Sequence, residues 1–306
     1  MKFLVAGLIN LETTARMDGF PIAYQPVRFP FFGVRSTVSG VGYNLTKALH
    51  TLGHEVRFLS LIGDDAAGMM ARHALTRDQL PADEVLPLLR ETPQSVILYD
   101  ESGRRAINVD LKDIQETSYP PDQAEAALHW CDLAVLCNIN FARPFLSRAN
   151  AIGKPVATDV HTIGSLDDPY NRDYMQAADI LFMSHENLPI APDQWARAVI
   201  ERFQNRIVVI GMGRDGALLA INRGADGVEV RTIPAVTTRP VVNTIGAGDA
   251  LFAAFLHGHA GDPVAALRKA ALFASWKIGI SGAADGFLSA AELDTLSAQF
   301  NGGTTS

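Results

Sequence analysis

Short apolar runs alternate with amphipathic stretches over most of this chain. Unbroken runs at 2–7, 56–62, 132–137, 155–159, 179–183 and 206–210 read as buried strands. Between many of them, 41–52, 66–77, 122–130, 144–151 and 193–203 carry apolar residues at helical spacing. The spacing is plainest at Val41, Leu45, Ala48, Leu49 and Leu52, and Gly53 ends that helix. Strands alternating with helices imply an α/β fold, with a mostly parallel central sheet and helices on both faces. Beyond residue 243 the pattern turns wholly helical, at about 247–260, 263–279 and 289–299, ahead of a frayed tail from Asn301 to Ser306. Two stretches break the alternation. Thr13 to Thr37 is rich in Phe, Pro and Arg. Thr92 to Val109 holds two strand-like runs around Asp100-Glu101-Ser102-Gly103, which reads as a hairpin turn.

Composition narrows the classes of function. A chain of 306 residues is ample for a sizeable core, and 48% hydrophobic with 19% charged residues is an ordinary globular balance. The net charge of −7 and the lack of a basic patch argue against nucleic acid or an anionic membrane as partner. No apolar run is long enough to cross a bilayer. The run from Phe3 to Ile9 is broken by Gly7 and followed by Asn10 and Glu12, so it reads as a first strand rather than a leader. Cys131 and Cys137 flank an apolar run and read as reduced core residues, which suits a cytoplasmic protein.

The chemistry concentrates in Asn243-Thr244-Ile245-Gly246-Ala247-Gly248-Asp249-Ala250-Leu251-Phe252. A glycine-rich turn opening a helix presents unpaired backbone N–H groups and a partial positive charge, a ready anion site. Here the N–H groups are those of Gly246, Ala247 and Gly248. A carboxylate at the mouth of that site would repel a phosphate unless it served as a base. Asp249 is therefore a candidate for taking the proton from an attacking hydroxyl. The alternative is a tight turn with an Asp in the first helical turn, where it suits the helix dipole.

A second glycine turn, Ser39-Gly40-Val41-Gly42-Tyr43-Asn44, feeds the helix that Gly53 ends, and Gly63-Asp64-Asp65-Ala66-Ala67-Gly68 follows the next strand. At this point the chain resembles the ribokinase-like (PfkB) family of carbohydrate and nucleoside kinases. That family carries Gly-Gly-x-Gly-x-Asn and Gly-Asp-Asp-x-x-Gly near its N-terminus and Asp-Thr-x-Gly-Ala-Gly-Asp-x-Phe near its C-terminus, in this order and separation. With weaker matches between, the resemblance spans nearly the whole chain, as one ribokinase-like domain over 1–306. It implies that the segments at about 13–37 and 92–110 form a small β lid over the substrate.

The resemblance also implies site residues. An acidic residue in Gly-x-x-x-x-Asp after the first strand binds substrate hydroxyls; here the pattern is Gly7 to Glu12, with Glu one methylene longer. Asn10, Gly40 and Asn44 fall on positions lining the same pocket. The turn Gly213 to Gly216 is implied to lie beside ATP. It sits within Gly211-Met212-Gly213-Arg214-Asp215-Gly216, yet the strand-like run Ala217 to Ile221 follows where a dinucleotide fingerprint needs a helix. Magnesium is expected with the nucleotide. Asn243 replaces the family's Asp, which leaves a monovalent cation site open to question. Ser184-His185-Glu186-Asn187 departs from the family's Asn-x-x-Glu, leaving Glu186 as a candidate that acts on magnesium through water.

These readings define an ATP- and magnesium-dependent kinase acting on a hydroxyl of a small sugar-like molecule. Phe20, Tyr24, Phe29, Phe31 and Phe32 in the first lid segment keep a nucleoside acceptor open, since aromatic rings could stack on a base. They could equally pack the lid on itself or on a second copy as a homodimer. A non-catalytic sugar- or nucleotide-binding relative is the third reading. His257 and His259, two apart on a helix, face different ways and make a poor metal pair. Asp64 and Asp65 read as a helix start, and Asp159 ends a strand where ligands gather in open α/β folds.

Overall fold

The computed structural model describes residues 1–102 and 104–302. Its large sheet has nine strands. In chain order these are β1 (Lys2–Ala6), β4 (Glu55–Gly63), β5 (Val85–Leu89), β8 (Leu133–Leu136), β9 (Val156–Asp159), β10 (Ile180–Ser184), β11 (Ile207–Gly211), β12 (Ala217–Asn222) and β13 (Val228–Ile233). They lie in the order β13-β12-β11-β10-β9-β8-β1-β4-β5. All neighbours are parallel except the β11–β12 and β12–β13 pairs. A parallel sheet of this kind binds ligands at the carboxyl ends of its strands.

Helices cover both faces. α1 (Val41–Thr51), α2 (Ala66–Arg77), α7 (Ala247–Gly258), α8 (Pro263–Lys277) and α9 (Ala290–Gly302) lie on one side. α3 (Pro121–Trp130), α4 (Arg143–Ala151), α5 (Arg172–Ala177) and α6 (Pro192–Phe203) lie on the other. The two-residue period of a strand divides the core between these layers. Phe3 and Val5 of β1 enter the first, and Leu4 and Ala6 the second. All four are fully buried, which is why β1 reads as an unbroken apolar run.

Three elements escape the periodicity argument. β5 is an edge strand holding Pro87, which has no N–H to give a ladder. β13 is the opposite edge and only partly buried, with Arg231 pairing Glu229. α5 is a helix of six residues, too short for a spacing to show.

The second sheet is the lid, four strands ordered β3-β2-β6-β7. They are β2 (Asn10–Arg16), β3 (Val34–Ser39), β6 (Gln94–Tyr99) and β7 (Arg105–Asp110). The first pair of lid strands starts and ends further out than the sequence suggests, so Asn10 and Glu12 stand on β2 itself, while β6 and β7 fall within the expected segment. β6 and β7 form the expected antiparallel hairpin, in which Asp100 Oδ1 accepts from Ser102 and Arg104. Gly103 of that turn lies outside the described residues, as does the tail from 303 onward; Asn301 and Gly302 belong to α9.

Candidate active site

Two glycine contacts set the site's frame. A Cβ on Gly42 would lie 2.5 Å from the Gly7 carbonyl carbon, so the start of α1 presses directly on the end of β1. Gly40, just before α1, has φ 107°, and a Cβ there would meet Leu8 O at 2.5 Å. Its glycine is explained by backbone alone. Asn44 is thereby held in the first turn of α1, and it is 3% exposed. α1 packs against α7, and Asn44 Nδ2 donates to Asp249 Oδ2 at 2.6 Å.

Asp249 lies in the first turn of α7, after a cap at Gly246 with φ 77°. A Cβ on Gly246 would come within 2.3 Å of Ala283 O. At Gly248 a Cβ would meet no protein atom within 4 Å, and its φ lies outside the left-handed region. Neither packing nor backbone strain requires glycine at 248, and the missing side chain leaves the helix N-terminus open. Ala247 N–H closes a turn onto Thr244 O at 3.2 Å, so that amide is already engaged. Burial raises the pKa of Asp249. Hydrogen bonding from Asn44 and the charges of His161 and Lys277 draw it back, while Asp159 pushes it up.

Across from Asp249 stands the lid strand β2. Asn10 and Glu12 share its buried face, at 4% and 6% exposure. Asn10 Nδ2 donates to Ser95 Oγ at 3.1 Å. Glu12 has a raised pKa, chiefly from burial; a hydrogen bond with Ser39 offsets part of it, the charge of Asp249 adds to it, and Lys277 opposes it. Three buried acceptors here have no hydrogen-bond donor among the described residues: Asn10 Oδ1, Glu12 Oε1 and Asn44 Oδ1. Unsatisfied buried acceptors are uncommon and costly in folded proteins. Donors that would satisfy all three are the hydroxyls of a polyol.

The remaining predicted residues fall at the carboxyl ends of strands. Gly213–Asp215 is a single helical turn between antiparallel β11 and β12, with Gly213 at φ 56° and Gly216 at φ 97°. A strand follows, as the sequence requires, and not a dinucleotide-binding helix. Glu186 is exposed beyond β10, its N–H donating to Ser184 Oγ. Asp65 caps α2, accepting from Gly68 N and from both donors of Thr92. Those bonds outweigh burial and lower its pKa, a structural role. His257 bonds His54 at 2.9 Å while His259 bonds Leu256 O. Among the described residues no three His, Cys, Asp or Glu side chains are grouped to hold a metal. Cys131 and Cys137 are both free and buried. No helix among the described residues is long and apolar enough to cross a membrane.

Sequence reasoning missed three contributors: His161, Lys277 and Arg105. His161 follows β9, its N–H donating to Asp159 Oδ1 at 2.8 Å, and the charges of both residues bear on Asp249. Lys277, fully buried at the end of α8, donates to Ile245 O. Arg105 reaches from β7 to Thr244 Oγ1 at 3.2 Å. Lys277 had a signal, a single cation in the apolar run Ala270 to Ile280; the other two have none that spacing could show.

A lidded parallel α/β sheet with a carboxylate at a helix N-terminus, facing orphaned acceptors suited to hydroxyls, defines a small-molecule kinase. Residues 2–290 match the model of the pfkB family of carbohydrate kinases, and the chain belongs to that family. It is 30% identical over 264 residues to an acarbose 7(IV)-phosphotransferase of an Actinoplanes species, covering 85% of this chain and 86% of that one. It is 28% identical over 240 residues to a fructokinase of Klebsiella pneumoniae, covering 72% and 76%. Its fold superposes on a microbiome-derived acarbose kinase with TM-score 0.82 at 25% identity, covering 97% of this chain and 98% of that one. The protein is a carbohydrate kinase that transfers phosphate to a sugar hydroxyl. Kinases of this family generally use ATP with magnesium.

Proposed function

We propose that this chain, working as one lidded domain, transfers the γ-phosphoryl group of ATP to a hydroxyl of a free sugar or sugar-like acceptor, with Asp249 as base. The observation that supports it most is the trio of buried, unpartnered acceptors on Asn10, Glu12 and Asn44 beside that carboxylate. Bound magnesium–ATP would supply the phosphoryl group and neutralise charge on its oxygens. The start of α7 fits a phosphate, because Gly248 leaves its backbone open. Gly213 and Gly216 are candidates to flank the nucleotide, and Glu186 to order water around the metal.

The residues divide the work. Glu12, Asn10 and Asn44 accept hydrogen bonds from acceptor hydroxyls and so fix which hydroxyl faces Asp249. Gly40 lets α1 start close enough to place Asn44 there. Asp249 takes the proton of that hydroxyl; the burial that raises its pKa makes it a stronger base than a solvated Asp. The N–H groups of Gly246 and Gly248, with Ala247 holding the turn, face the transferred charge. The lid keeps water from competing with the acceptor.

The two acarbose-phosphorylating relatives support a saccharide acceptor. A nucleoside is the second reading, favoured only by the exposed rings of Tyr24, Phe29, Phe31 and Phe32, which could alternatively pair the lids of two copies. The test is turnover on pentoses, hexoses, their monophosphates, acarbose, polyols and nucleosides. A free saccharide is expected to lead. Asp249→Asn should lower kcat roughly 10²–10⁴-fold with nucleotide binding retained. Glu12→Ala should raise acceptor KM far more than ATP KM. Turnover confined to nucleosides would overturn the saccharide reading, and near-normal turnover of Asp249→Asn would remove it as base.

A further inference from the structure

Lys277 is the last residue of α8 and is fully buried. Burying an ammonium costs several kcal/mol unless something compensates, and a Met of similar length would fill the space without that cost. The compensation is local. The ammonium donates to the carbonyl of Ile245, the residue immediately before the Gly246-Ala247-Gly248 turn. It stands at a helix C-terminus, where the dipole favours a cation. Asp249, Asp285 and Glu12, in that order, are the carboxylates whose charge supports it. Burial nevertheless lowers its pKa to about 8, which leaves it charged at neutral pH.

The same corner is tied by neutral bonds. Ile245 N–H donates to Asn243 Oδ1 at 2.8 Å, and the N–H groups of Val242 and Asn243 both donate to Ile278 O, at 2.8 and 3.0 Å. The Ile245 peptide is thus gripped on both sides, by the Asn243 side chain at its N–H and by Lys277 at its carbonyl. A monovalent cation beside this turn would have to compete for those two oxygens. Asn243 Oδ1 already accepts a hydrogen bond and carries no charge, and Ile245 O already accepts from an ammonium. The residues present do not fit a bound potassium or sodium ion.

We infer that Lys277 is the resident cation of the glycine turn, orienting the turn through Ile245 and placing its positive charge beside Asp249, so that this kinase needs no monovalent salt. Lys277 is a positioning residue here, and the inference rests on the kinase reading above. The wild type is assayed with magnesium–ATP and its best acceptor in choline chloride, sodium chloride and potassium chloride. The three rates should agree within about twofold. Stimulation of more than tenfold by potassium would overturn the inference. Stabilisation by magnesium–ADP, read as the shift in melting temperature, should likewise be equal in choline and potassium. That measurement needs no acceptor, so it judges Lys277 even if the sugar reading fails. Lys277→Met should lower kcat about 10- to 100-fold and move the acid limb of its pH profile upward, because Asp249 loses a nearby positive charge. Lys277→Ala should regain part of the rate with added methylammonium. A Lys277→Met enzyme with unchanged kcat and unchanged acid limb would also overturn it.

Discussion

At the scale of single residues, two glycines two positions apart answer to different causes. Gly246 has a left-handed φ of 77° and would drive a Cβ to 2.3 Å from Ala283 O. Gly248 has neither constraint. Gly246→Val should therefore lose fold stability, by about 1–3 kcal/mol from backbone strain and more from the collision. Gly248→Val should melt within a few degrees of wild type yet lose turnover, because its side chain would stand where the proposed mechanism brings a phosphate to the N–H groups. Thermal melts and a coupled assay on both proteins separate the two. Equal loss of stability in the pair would return Gly248 to a purely structural role. The motif is legible in sequence because its residues are consecutive; the division of labour within it is not, since it depends on Ala283, which only the fold brings near.

At the scale of elements, two polar side-chain contacts among the described residues reach from the lid strands to the body, beside the packing of β2 and β3 on α2. Arg105 of β7 donates to Thr244 Oγ1 at 3.2 Å, and Arg35 of β3 meets Asp285 at 3.4 Å. Both arginines are exposed, so each contact is worth about 0.2–1 kcal/mol. Arg35→Ala with Arg105→Ala should raise acceptor KM about two- to tenfold and increase ATP hydrolysis without acceptor, with little change in melting temperature. Unchanged KM and unchanged idle hydrolysis would show that these ties do not govern closure. The central strands and the longer helices were legible because burial on both faces writes continuous apolar runs and helical spacing. The lid's limits were not. β2 alternates buried and half-exposed residues, and the chain between Arg16 and Val34 forms no strand that spacing could mark. The contributions of His161 and Arg105 lay beyond reach because each comes from an element far along the chain from Asp249, whereas Lys277 showed only as a single cation in an apolar run.

At the scale of the whole molecule, the carboxyl ends of the strands hold the site, and a histidine pair ties the opposite end of α7 to the loop before β4. His54 Nε2 and His257 Nδ1 are 2.9 Å apart, and His54 also lies 3.5 Å from the terminal amine of Met1. Burial, with the neighbouring charges of His257 and the amine, lowers the pKa of His54 to about 4. Burial lowers that of His257 too, against a nearby Asp294 and with Lys269. In the unfolded chain both rings titrate near 6.5. Between about pH 6.5 and 4 the unfolded chain therefore takes up protons that the folded one refuses. Stability should fall as pH drops through that window, with no contribution above it. Asp249 and Glu12, whose pKa values are raised, act with the opposite sign over the acidic range, so the total slope does not isolate the pair. The comparison that does is wild type against the double variant His54→Gln, His257→Gln, melted from pH 7.5 to 5. The variant should lose less of its melting temperature on acidification than the wild type loses. Parallel curves would show that the pair stays neutral without cost, and that acid sensitivity arises elsewhere in the molecule.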